Sequence, residues 1–135
     1  MTTATESKVF FYDSYAVLAY ISGEKAYAGY FDDDDNTQSS GVLTKLNLME
    51  VYYRAAKLHG HPAAKQVIDR FSRYLVDFDI DDIAGSMKLR EGLMKKRMDL
   101  SYVDALGYYL ARKMQIPFLT GDSYFKGLEG VEFVK

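Results

Sequence analysis

Lys8-Val9-Phe10-Phe11-Tyr12-Asp13-Ser14 is the stretch that decides the fold. An apolar run with almost no polar interruption stops at an acid–hydroxyl pair, after which Tyr15, Leu18, Ala19 and Ile21 recur with helical spacing. An uninterrupted apolar run suits a strand covered on both faces, and the change of period marks a strand feeding a helix. Asp13 or Ser14 is the expected N-cap, because a short oxygen-bearing side chain satisfies the first free N–H groups of a helix. Helical spacing continues through Ala26, Tyr27, Tyr30 and Phe31, up to Asp32-Asp33-Asp34-Asp35-Asn36. Adjacent like charges repel, so that acidic run is expected to be a solvated loop.

Working outward, Val42-Leu43-Thr44 is a second expected strand. An amphipathic helix follows from about Asn47 to His59, burying Leu48, Val51, Tyr52, Ala55 and Leu58. Gly60-His61-Pro62 stops it, and the proline begins the next helix, which runs to about Tyr74. Leu75-Val76-Asp77-Phe78 is expected as a third strand, and Asp81 as the opening of a helix reaching about Lys96. Ser101 begins another helix, with Val103, Leu106, Leu110 and Met114 on one face. Pro117-Phe118-Leu119-Thr120 is a strand that ends in Gly121-Asp122, Ser123 to Lys126 a helical turn, and Val131 to Val134 a last strand. Short apolar strands alternating with helices predict an α/β fold, a three-layer α/β/α sandwich around a mostly parallel sheet. Neither an internal repeat nor a linker interrupts the pattern, so residues 8–135 are expected as a single domain, preceded by a short flexible polar tail, Met1 to Ser7.

Composition narrows the function classes. The chain has 135 residues, 48% of them hydrophobic, which suffices for one packed core. It has no cysteine, which excludes disulfides, thiolate metal sites and a cysteine nucleophile. No apolar run approaches the roughly 18–20 residues that span a bilayer, and the polar N-terminus does not resemble a signal peptide, so the expectation is a cytoplasmic protein without membrane contact. The net charge of −2 is unlike that of a chain gripping nucleic acid by overall basicity. A nucleic-acid role would need a local basic patch, or cations that turn an acidic pocket into a phosphate site.

Four acids stand at the ends of the expected elements. Asp13 and Asp122 directly follow strands, Glu50 lies in the first turn of the helix after the second strand, and Asp104 lies in the first turn of its helix. Ligands of open α/β sheets bind beyond the carboxyl ends of the strands. Each acid also has a local explanation. Asp13 and Asp122 suit caps, Ser101-x-x-Asp104 fits a capping box, and Glu50 precedes Arg54 by the four residues of a favourable surface pair. Spacing alone leaves both readings open.

The ordered set resembles the PIN-domain family. The resemblance is carried by Phe10-Phe11-Tyr12-Asp13-Ser14, Leu46-Asn47-Leu48-Met49-Glu50-Val51-Tyr52, Leu100-Ser101-Tyr102-Val103-Asp104-Ala105-Leu106 and Phe118-Leu119-Thr120-Gly121-Asp122 with Phe125. These blocks cover nearly the whole chain, in order, and the compact length is similar to VapC-type toxins of bacterial and archaeal toxin–antitoxin pairs. The resemblance implies a ribonuclease that hydrolyses RNA phosphodiester bonds with Mg²⁺ or Mn²⁺. Asp13, Asp104 and Asp122 would bind the metal, Glu50 would bind it or orient water, and Ser14 and Thr120 would hold carboxylates in place by hydrogen bonds. It also implies a VapB-type antitoxin and a homodimer.

The remaining features have plainer readings. His59 and His61 are expected in a loop, Asp81 as a helix cap, and Asp77, Asp79 and Asp82 as solvated acids, one of which could border the pocket. The basic stretch Lys88, Arg90, Lys95, Lys96 and Arg97 suits a polar helix face better than an RNA contact. The helically spaced tyrosines 15, 20, 27, 30, 52 and 53 are mostly core, with some left for an antitoxin groove or a dimer contact. Two rival functions are a receiver-like signalling domain and a non-catalytic partner-binding domain. The first would need a lysine in a loop beyond the last strand, and Val131 to Val134 runs straight into Lys135.

Overall fold

The computed structural model describes residues 8–31, 39–95 and 100–135. The tail of residues 1–7, the acidic run Asp32–Asp35 and the basic residues Lys96 and Arg97 lie outside them. Strand β1 (Lys8–Tyr12) leads into helix α1 (Ser14–Ile21), and a 3-10 segment, Lys25–Tyr30, follows. Next come β2 (Ser39–Val42), α2 (Lys45–His59), α3 (His61–Phe71), α4 (Ile80–Met94) and α5 (Tyr102–Met114). The chain closes with β3 (Phe118–Thr120), a 3-10 turn at Ser123–Phe125 and β4 (Val131–Phe133).

The four strands form one sheet in the order β2-β1-β3-β4, and every pair is parallel. β1 sorts its side chains by the strand period of two. Phe10 and Tyr12 enter one apolar cluster with α1, α2 and α3, including Val17, Val51 and Phe71. Phe11, between them, enters a second with α5 and β3, including Leu106, Leu110 and Phe118. Helices thus cover both faces, as the apolar run of β1 requires. Gly107 lets α5 settle on the sheet, since a Cβ there would meet the Phe11 ring at 2.8 Å. Lys113 of α5 binds Asp82 of α4 at 2.6 Å, tying these two helices together.

Several boundaries differ from the sequence reading. The first helix stops at Ile21 instead of continuing toward Phe31, because Gly23 turns the chain with φ +84° and a three-residue repeat then carries Tyr27 and Tyr30 inward. β2 lies earlier than Val42–Thr44, in a segment whose Gly41 leaves room for the Tyr12 ring. Leu75–Phe78 is not a strand. The Leu43 N–H donates to the Tyr74 carbonyl and the Val76 N–H to the Leu43 carbonyl, an isolated bridge at the sheet edge that goes no further. Helix α4 is capped by Asp79, not Asp81: the Asp79 carboxylate accepts from the Asp82 N–H, and Asp82 accepts from the Asp79 N–H. His59 ends α2 and His61 begins α3, with only Gly60 between them. On the last helix, Met114 is exposed while Leu106 and Leu110 are buried.

Candidate active site

The chain runs from β1 out to β2 and then returns to the other side of β1 as β3. That reversal leaves a crevice at the carboxyl ends of β1 and β3, the position where parallel sheets accept ligands. Asp13 follows β1 and Asp122 follows β3 by two residues. Between Thr120 and Asp122, Gly121 has no room for a side chain, with the Val134 carbonyl 2.6 Å and the Tyr27 hydroxyl 2.7 Å from where a Cβ would stand.

A cavity of about 430 Å³ opens there, lined by Asp13, Glu50, Asp104 and Asp122 together with Ser14, Tyr15, Arg54 and neighbouring apolar groups. All four acids singled out in the sequence therefore share one cavity. Each comes from a different element or its cap, and Glu50, the sixth residue of α2, lies in its second turn and not its first. Asp13 caps α1 and is only 2% exposed. Its Oδ1 accepts from the Ser14 N–H at 2.8 Å, and its Oδ2 from the Thr120 hydroxyl at 2.7 Å. Thr120 in turn accepts from the Asp122 N–H at 3.0 Å, so one hydroxyl joins two of the acids. Asp122 Oδ1 accepts from the Tyr124 N–H and caps the following turn. Asp104 is in the first turn of α5, its N–H donating to the Ser101 hydroxyl.

Glu50 is fixed from the opposite side. The Ser14 hydroxyl donates to Glu50 Oε1 at 2.6 Å and accepts from Asn47 Nδ2 at 3.0 Å. Asn47 Oδ1 accepts from both the N–H and the hydroxyl of Thr44, within the capping box that starts α2. Asn47 was missed as a site residue. The available signal was Thr44-x-x-Asn47, a cap spacing three residues before the expected helix start. Arg54, which the sequence offered only as a surface partner of Glu50, also lines the cavity.

The electrostatics follow from crowding acids in a buried crevice. Burial pushes the Asp13 carboxyl up from 3.8 to about 8, helped by the neighbouring Asp104 and Glu50 and opposed by the hydrogen bonds from Thr120 and Ser14. Asp104 rises to about 6, again chiefly by burial; Glu50 and Asp122 add to the shift and Ser101 opposes it. Such a pocket favours a proton, or a cation in its place. The carboxylates line the walls without closing into a cage. Among the described residues, no three acidic or imidazole groups by themselves form a set able to hold an ion.

The other candidates fall elsewhere. Asp77, Asp79, Asp81 and Asp82 are absent from the cavity lining, Asp79 and Asp82 being used in a cap and an ion pair. Arg90 also lies outside it; its Nε donates to the Leu100 carbonyl, and its guanidinium packs over the Tyr102 ring. Tyr20 stacks on Phe31, and Tyr27 is fully buried, both in the core. Tyr52 and Tyr53 instead line an apolar groove of about 760 Å³ on α2 and α3, and Tyr53 also borders the acidic cavity.

An all-parallel sheet with helices on both faces and acids gathered at its carboxyl edge defines an α/β protein of the kind that binds ligands at a strand-order reversal. Residues 10–131 match the PIN domain, and the chain belongs to that family. No curated protein sequence matches it. Among solved structures it is similar to a toxin–antitoxin complex from Klebsiella pneumoniae, with 19% identity, a TM-score of 0.67, and coverage of 93% of this chain and 96% of that one. A DNA-bound VapBC from Salmonella typhimurium shows 18% identity and a TM-score of 0.70 over 93% of this chain and 96% of that one. VapC20 of Mycobacterium tuberculosis, described as a sarcin-ricin loop cleaving toxin, shows 17% identity and a TM-score of 0.69 over 95% of this chain and all of that one (100%). At these identities the likeness speaks for the fold. No helix among the described residues is long and apolar enough to cross a membrane.

Proposed function

We propose that this PIN-domain chain is a divalent-metal-dependent ribonuclease that hydrolyses RNA phosphodiester bonds. The observation that carries this reading is the convergence of Asp13, Glu50, Asp104 and Asp122, remote in sequence, on one cavity at the carboxyl edge of the sheet. An all-oxygen, hard, anionic donor set fits Mg²⁺ or Mn²⁺. Mg²⁺ in particular keeps several waters and shares its shell with substrate phosphates, so an open set of carboxylates suits it better than a closed cage. Asp13, Asp104 and Asp122 would hold the ion together with waters and substrate phosphate oxygens, and Glu50 would complete its shell or orient the attacking water. The bound ion supplies charge neutralisation for the phosphate and activation of water.

The chain's own groups do the positioning. Both oxygens of Asp13 are pinned by hydrogen bonds, which fixes the carboxylate rotamer before any ligand arrives. Glu50 is held at Oε1 by Ser14, and Oε2 has no hydrogen-bond partner among the described residues, which supports its role toward water. Asp13, whose carboxyl burial pushes up to about 8, would give up its proton to a bound cation.

The biological role that fits is the toxin of a type II VapBC toxin–antitoxin pair, acting in the cytoplasm as a homodimer and restrained by a VapB-type antitoxin. Support comes from the fold shared with chains of VapBC complexes, and from the apolar groove beside the cavity, where Met49 is 67% and Tyr53 58% exposed. Exposed apolar groups in a groove of this kind suit a partner chain.

The test is cleavage of a mixed RNA pool by the full chain in Mn²⁺ or Mg²⁺, beside Asp104→Asn purified identically. The wild type should cut, a chelator should stop it, and the variant should lose about 100-fold or more while keeping its melting transition. Equal cleavage by wild type and variant would overturn the assignment.

A further inference from the structure

A phosphodiester is an anion, and the proposed site is walled by carboxylates. Metal ions offset part of the repulsion, yet the strand must also be held where it enters. Among the described residues lining the cavity there is one cation, Arg54. It lies one helical turn beyond Glu50 on α2, so the two side chains share a face of the helix. An arginine beside several carboxylates ordinarily pairs with one of them in a two-pronged contact. Arg54 is exposed and forms neither a hydrogen bond nor an ion pair with any other described residue. Arg112 and Lys113, by contrast, are engaged with Glu129 and Asp82. Neighbouring Tyr53 borders both the cavity and the apolar groove, and Lys57, which lines the groove, packs over its ring at 4.7 Å.

We infer that Arg54 is a substrate-binding residue: its guanidinium grips the non-bridging oxygens of a backbone phosphate of the RNA strand at the mouth of the carboxylate cavity. The inference rests on the ribonuclease reading and extends it to a residue that holds the strand. A planar fork of N–H donors matches two phosphate oxygens at once, which an ammonium group does not. The contact is made to the bound strand before cleavage and persists through it, so its loss raises KM and leaves kcat nearly unchanged.

The experiment measures binding of a short fluorescein-labelled single-stranded RNA of mixed sequence to the full-length wild type, Arg54→Gln and Arg54→Lys, at salt from about 50 to 200 mM. Mn²⁺ titration and thermal melting are run alongside. Arg54→Gln should bind the RNA about tenfold more weakly. Its log–log salt slope should fall by about 0.7, the signature of one lost phosphate contact on a single strand. Arg54→Lys should restore the slope and only part of the affinity. Mn²⁺ binding and melting should be unchanged in both. Unchanged RNA affinity and slope in Arg54→Gln would overturn the inference while leaving the ribonuclease reading intact. Loss of Mn²⁺ binding in that variant would overturn it as well, placing Arg54 in service of the carboxylates. A wild type that neither binds nor cuts RNA would bring down the ribonuclease reading, and this inference with it.

Discussion

Asp13→Asn is the substitution whose effect should change sign with pH. Without metal, the Asp13 carboxyl is shifted from 3.8 to about 8 by burial and by Asp104 and Glu50. The folded state therefore binds a proton that the unfolded state has released between these values, and stability falls as pH rises. The contribution is complete below about pH 4 and is lost by the time pH has passed about 8. A shift of this size corresponds to roughly 6 kcal/mol at about 1.4 kcal/mol per unit. Asparagine cannot ionise and escapes that loss. It does forfeit a hydrogen bond: Thr120 already accepts from the Asp122 N–H, so an amide facing it leaves the threonine hydroxyl hydrogen without its acceptor. A group left unsatisfied in this way costs about 1–3 kcal/mol. The net at pH 8 is a stabilisation of about 3–5 kcal/mol, or on the order of 10 °C in Tm for a chain of this length. At pH 4, where Asp13 is protonated in the fold, only the lost hydrogen bond remains and the variant should melt lower than wild type. Thermal melts in chelator from pH 4 to 9 decide it. A variant less stable than wild type at both ends of that range would refute the reasoning, because Asp13 would then be an ordinary capping carboxylate.

Three further outcomes follow from the same geometry. Metal binding near pH 7 should release close to one proton per chain and tighten as pH rises toward about 8, since the ion displaces the Asp13 proton; calorimetry in buffers of different ionisation enthalpy measures this, and a pH-independent affinity would contradict it. Thr120→Val removes the hydroxyl that joins Asp13 Oδ2 to the Asp122 N–H, so it should lower stability by about 1–3 kcal/mol at neutral pH and weaken Mn²⁺ binding, with Thr120→Ser restoring both. Asn47→Ala loses the amide that spans the α2 cap and Ser14; it should cost about 1 kcal/mol in melting experiments, and RNA cleavage should drop by more than that loss explains because Glu50 is no longer held through Ser14.

The parts of the fold that showed in the sequence are those where one periodicity operates without competition. Phe10-Phe11-Tyr12 is buried on both faces of the sheet and therefore reads as an unbroken apolar run, and Asp13 follows as a cap that the structure confirms. Ser101 and α5 are legible for the same reason. The sequence failed where a single residue overrides the pattern. Gly23 ends α1 within what looks like continuing helical spacing, and the 3-10 segment then places Tyr27 by a different repeat. Leu75-Val76-Asp77-Phe78 has strand-like composition, but pairing there depends on a neighbour at the sheet edge, which is a tertiary property. The gathering of the acids was legible as element ends, and through the resemblance to a family. The network that orders them was not. Asn47 lies early in α2, where nothing local announces a hydrogen bond to Ser14, 33 positions away in the chain. Arg54 had a sufficient explanation as a helical partner of Glu50, and its place on the cavity lining without an ion pair to any described residue separates the two roles.

Crystals soaked in Mn²⁺ and measured by anomalous scattering at neutral to mildly alkaline pH probe the central assignment without recourse to any substrate. The account predicts anomalous density inside the cavity, coordinated by oxygens of Asp13, Asp104 and Asp122 and absent from Asp13→Asn. Full Mn²⁺ occupancy at some other surface, with these carboxylates bare, would contradict it.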